Sequence, residues 1–135
     1  MLSPKRTKFR KMHRGRLKGR AYRNNKLCYG TYGIQALEPI WLKSNQLEAV
    51  RKTISRYTKK IGKLWIKIFP DKSITARAKE SRMGSGKGAV SHWVTVVKPG
   101  MILFELSNAP KVLAEKALKI ASYKLPIKTK IISKI

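Results

Sequence analysis

The first 26 residues carry eleven Lys or Arg and no acid, and the first carboxylate in the chain is Glu38. Lys5, Arg6, Lys8, Arg10, Lys11, His13, Arg14, Arg16, Lys18, Arg20 and Arg23 follow one another among a few apolar residues with neither helical nor strand period. Like charges this dense repel one another, so the segment has no means of burying itself and is expected to order only against something densely negative. A nucleic acid fits that requirement best. The remainder of the chain has to say which one.

The chain has 135 residues, enough for one domain with one core. Against 32 Lys+Arg stand only 6 Asp+Glu, a formal charge of +26 that opposes compaction by self-repulsion. Yet 42% of the residues are hydrophobic, too many for a wholly disordered tail. The expected object is a basic, extended arm over residues 1–25 attached to a globular domain over 26–135. A lone cysteine, Cys28, excludes an internal disulfide and a multi-cysteine zinc site, and reads as a small buried hydrophobe. No apolar run reaches transmembrane length, and the basic start lacks the apolar core of a signal peptide. Gly15 and Gly19, in place of a Ser-rich composition, favour mature protein over a transit peptide.

Leu27 and Tyr29, then Ile34 and Ala36, alternate as a strand broken at Gly30–Gly33, and Glu38-Pro39-Ile40-Trp41 turns the chain. Ser44 or Asn45 is expected to cap a helix, with Glu48 completing a capping box from Asn45. Its buried stripe would be Leu47, Val50, Ile54, Tyr57 and Ile61, ended by Gly62. The opposite face presents Arg51, Lys52, Arg56, Lys59 and Lys60 with no acid to relieve them, which predicts phosphate contact. A strand follows over 63–69, with Leu64, Ile66 and Ile68 on one side and Trp65, Lys67 and Phe69 on a partly solvent-facing other. After an extended stretch, Ser73 to Arg77, a hairpin-like pair is expected over 92–97 and 101–106 around Lys98-Pro99-Gly100. Pro110 opens a second helix, Pro126 breaks it, and 127–131 alternates as a last strand. The order predicts an α+β two-layer sandwich, a mixed or antiparallel sheet covered by two helices.

The glycine-rich segment Arg82-Met83-Gly84-Ser85-Gly86-Lys87-Gly88 fails both nucleotide motifs. Gly88 stands where a Walker A loop needs Ser or Thr, and the glycines do not have dinucleotide-fingerprint spacing. Alternating glycines still expose backbone N–H groups to a phosphate, with Arg82 and Lys87 supplying charge. The alternative is a plain hairpin tip. The few carboxylates are scattered, and His13 and His92 read as polar contacts, so no catalytic set and no cofactor is expected. Trp41, Trp65 and Trp93 read as core or interface anchors, though Trp65 and Phe69 beside Lys67 leave base stacking open.

The opening Met-Leu-Ser-Pro-Lys-Arg-Thr-Lys-Phe-Arg-Lys, then His13-Arg14-Gly15-Arg16, resembles the start of the bacterial-type large-subunit ribosomal protein sixteen family. The resemblance continues through Tyr29-Gly30, residues 35–39, Ile66-Lys67-Ile68-Phe69-Pro70-Asp71-Lys72 and residues 82–88, and so spans essentially the whole chain. Met1 to Thr7 and Ser85 look like the plastid-encoded members. The resemblance implies a non-enzymatic constituent of the large ribosomal subunit that binds large-subunit rRNA near the A site and the peptidyl-transferase region. It implies that residues 5–23 thread into rRNA and that residues 82–88 approach A-site tRNA. Partners would be rRNA, A-site tRNA and neighbouring large-subunit proteins, with no membrane and no homo-oligomer. The place would be the chloroplast stroma, with the bacterial cytoplasm as the alternative. A histone-like architectural protein shares the charge but should show a dimer surface and an intercalating wedge. A membrane-active peptide needs a strongly amphipathic basic helix at one end.

Overall fold

The computed structural model describes residues 3–5, 19–21, 23–58, 61–76 and 89–134, with the backbone alone at 75, 76 and 89–91. Seven strands and two helices occur among them: β1 (Tyr32–Ala36), β2 (Ile40–Lys43), α1 (Ser44–Thr58), β3 (Lys63–Ile66), β4 (Lys72–Ala76), β5 (Ala89–Val97), β6 (Ile102–Ser107), α2 (Lys111–Ser122) and β7 (Thr129–Ser133). The class is α+β, as expected. The strands divide between a four-stranded sheet, β3-β6-β1-β7, and a three-stranded sheet, β2-β5-β4, both antiparallel throughout.

The expected hairpin over 92–106 does not form. β5 and β6 belong to different sheets, and Lys98 to Met101 carries the chain round a corner from one to the other. Residues 37–39 turn the same corner beside it, between β1 and β2. The two crossings are laced together: Gly100 N–H donates to Ala36 O at 2.8 Å and Ala36 N–H donates to Met101 O at 2.9 Å. The turn at Glu38-Pro39 is therefore real, but it hands over directly to a strand that local patterning hides. Leu27 and Tyr29 lie outside any strand, ahead of β1.

Helix α1 buries Leu47, Val50 and Ile54, the predicted stripe, but it ends at Thr58. Tyr57 is half-buried, and Ile61 lies beyond the helix and is exposed. The Asn45–Glu48 capping box is absent. Gln46 Oε1 instead accepts the Lys43 N–H at 3.0 Å, the reach-back half of such a box begun two residues earlier, and Glu48 turns to Arg51. The exit from α1 depends on Gly62. Its φ of +86° suits glycine alone, and a β-carbon there would run into the Ser107 carbonyl. Pro110 precedes α2, whose Ala114, Ala117, Leu118 and Ala121 are buried. The two helices pack together over Ile34, Phe104 and Leu106, forming one core. Leu64 only flanks it, half-buried. Every residue of β6 is buried, so its strand is covered on both faces, by the helices on one and by residues ahead of β1 on the other.

Candidate nucleic-acid interface

The basic segment is fastened to the body by its last few residues. Ala21 N–H donates to Pro99 O at 3.0 Å, and Ile102 N–H donates to Asn24 O at 2.7 Å. Asn24 adopts φ of 55°, a left-handed conformation that Asn tolerates better than most residues, and its Nδ2 donates back to Ile102 O at 2.9 Å. The firmest attachment is Glu105. This carboxylate is fully buried in the middle of β6, and its Oε1 accepts three consecutive backbone N–H groups, from Cys28 at 2.7 Å, Tyr29 at 3.1 Å and Gly30 at 3.2 Å. Lys67 Nζ stands 3.5 Å from Oε2, an ion pair without hydrogen-bond geometry. A buried charge is tolerated only when it is paired and hydrogen-bonded, and Glu105 is both. Gly30 permits the approach, since a β-carbon there would come within 2.9 Å of the Leu106 backbone. Cys28, expected to be buried, is exposed, because its own backbone N–H and not its thiol faces the sheet.

Lys67 was expected on a partly solvent-facing side, but it is mostly enclosed, over the Tyr29 ring at 4.4 Å. Trp65, in β3 two residues before it, stacks on Tyr29 with centroids 5.7 Å apart. Phe69 lies beyond the strand and is exposed. On the three-stranded sheet, burial and then the Lys43 ammonium hold the His92 imidazole below its ordinary value.

The outer side of α1 presents Lys52 and Arg56 to solvent. Arg51 is not unrelieved: its guanidinium hydrogen-bonds Glu48, which lowers the carboxyl and raises the guanidinium. Between the helices lies an open groove of about 570 Å³ lined by Thr53, Arg56, Tyr57, Leu113, Ile120 and Lys124. It sets a cation at each rim. Strands β4 and β5 pair down to Ala76 and Ala89, so the segment 77–88 leaves and re-enters at one end of the three-stranded sheet. Among the described residues, no three His, Cys, Asp or Glu side chains gather as metal ligands would. No described helix is long and apolar enough to cross a membrane.

Residues 4–132 match the family described as ribosomal protein L16p/L10e. The chain belongs to that family. The large ribosomal subunit protein uL16c of Trieres chinensis is 65% identical over 135 residues, covering 100% of this chain and 98% of its own length. The same protein of Phaeodactylum tricornutum is 64% identical over 134 residues, with 99% and 97% covered. That of Porphyra purpurea is 61% identical over 132 residues, with 98% and 95% covered. This L16p/L10e chain is accordingly a structural constituent of the large ribosomal subunit, of chloroplast type and not an enzyme.

Of the candidate site residues, Lys5, Arg20, Arg23, Lys52 and Arg56 are exposed and Arg51 is half-buried. Arg6, Lys8, Arg10, Lys11, His13, Arg14, Arg16, Lys18, Lys59, Lys60 and the whole segment Arg82–Gly88 lie outside the described residues. Sequence reasoning overlooked Glu105, Lys63 and the Tyr29–Trp65 pair. A signal for Glu105 was present: an acid in the run Ile102-Leu103-Phe104-Glu105-Leu106 has to have a partner.

Proposed function

We propose that this L16p/L10e chain binds large-subunit rRNA through residues 5–23 and the outer side of α1, and contributes residues 82–88 to the A-site tRNA-binding region. The observation that carries this reading is the way Glu105 is spent. One of only six acids in the chain is buried to hold residues 28–30, so it fastens the root of the basic segment without shielding the cations ahead of it. Those charges need an external counterion, and a polyphosphate backbone supplies one at matching density. The loop's part is supported by its anchorage. Pairing to Ala76 and Ala89 holds both ends of 77–88 together, so Arg82 and Lys87 belong to the connection between β4 and β5 and not to the described core.

Two measurements test the two halves. Affinity for a large-subunit rRNA transcript should fall about 10³- to 10⁵-fold between about 50 and 200 mM salt if on the order of ten phosphates are engaged. A flat response would point to a protein partner instead. Arg82→Ala combined with Lys87→Ala should leave subunit occupancy unchanged and slow A-site tRNA accommodation. Normal accommodation at full occupancy would reduce the loop to a hairpin tip.

A further inference from the structure

Tyr29 is 64% exposed, yet its ring is held in a defined place. Its backbone N–H is tied to Glu105, and its ring lies against Trp65 with an interplanar angle of 24°. Neither ring belongs to the hydrophobic core. Lys67 is only 16% exposed and pairs with the fully buried Glu105, so its ammonium reaches the Tyr29 ring from the protein side. The open area of Tyr29 therefore faces outward. Lys63, exposed at the start of β3, sets its Nζ 5.3 Å from the Trp65 centroid. Arg23 and Lys26 are exposed on the same stretch of chain.

We propose that Tyr29, backed by Trp65, is a stacking platform for an unpaired base of the bound RNA, with Lys63 placed for the adjoining phosphate. This rests on the reading that the chain binds rRNA and adds where and how a base is met. An aromatic face stacks on any base, and a ring fixed beforehand by Glu105 and Trp65 loses little freedom on doing so. An exposed tyrosine could equally cover an apolar residue of a protein, but the surroundings decide against that. Lys67 lies over the Tyr29 ring, Lys63 lies over the Trp65 ring behind it, and Lys26 is exposed three residues before Tyr29. Glu105 is buried and already paired with Lys67, so a flat ligand that brings its own negative charge is the complement.

The test compares full-length wild type, Tyr29→Leu and Tyr29→Phe for binding to an rRNA transcript and to heparin, a polyanion without bases, with melting midpoints recorded alongside. Trp65→Leu, which removes the backing ring, serves as a second variant. Tyr29→Leu should weaken rRNA binding about 5- to 100-fold, as loss of one stacked base does, and leave heparin affinity and the salt slope unchanged. Trp65→Leu should move in the same direction, and Tyr29→Phe should bind as wild type. Unchanged rRNA affinity in Tyr29→Leu would overturn the platform while leaving RNA binding intact. Equal loss toward rRNA and heparin would overturn it too, since Tyr29 would then be acting through the fold. Failure of the wild type to bind rRNA would remove both readings.

Discussion

The buried Glu105 carboxylate joins two distant parts of this chain. Glu105 accepts its three N–H groups from residues 75 to 77 positions earlier, so one side chain closes a loop that spans more than half the sequence. Glu105→Ala would strand those donors and leave Lys67 enclosed without a counter-charge. Breaking a buried pair in this way costs about 3–5 kcal/mol, and a urea unfolding series should show it as a lowered midpoint. An isolated loss under about 1 kcal/mol, the range of a surface pair, would contradict the role assigned to it. That an acid amid apolar residues must be satisfied is legible from sequence. Its donors are not, because backbone N–H groups leave no trace in side-chain patterning. His92 makes a second prediction at this scale. Its folded form is held below the ordinary value of 6.5, first by burial and then by Lys43, so the unfolded chain takes up this proton more readily. Stability from this group is therefore full above about pH 6.5 and is lost as pH falls through the lowered value. His92→Gln should flatten the dependence of the unfolding midpoint on pH between about 7 and 5.

Among the elements, the helices were the most readable, because a buried stripe recurring every three or four residues leaves few alternatives. Strand partners were the least. Lys98-Pro99-Gly100 has the composition of a reversal, but turn residues state only that the chain bends, and here it rounds a corner between sheets. Whether β5 meets β6 or β2 depends on residues far off in sequence. The end of α1 expected at Gly62 comes earlier, at Thr58, and the Gly62 conformation sets the turn into β3 instead. Gly62→Ala should destabilise by at least about 1–2 kcal/mol through its left-handed backbone alone, with more from the Ser107 carbonyl, read as a drop in melting midpoint. A midpoint equal to wild type would mean that the α1–β3 connection has another conformation available.

For the molecule as a whole, the charge asymmetry is what leads to the proposal of a nucleic-acid partner, and the long motif blocks point to the family that the comparison establishes. Which surface would meet RNA is not legible in the sequence, because cations on a helix look alike whether solvated or bound, and Arg51 shows that one of them is answered internally by Glu48. We propose that residues 5–23 and the segment around Arg82 lie against RNA in the assembled subunit. Zero-length ultraviolet cross-linking of purified chloroplast large subunits, followed by mass spectrometry of nucleotide-bearing peptides from this chain, tests that most directly. Adducts are expected on peptides from residues 5–23 and from residues 77–88. Adducts absent from both segments, with those segments cross-linking to neighbouring proteins instead, would contradict it.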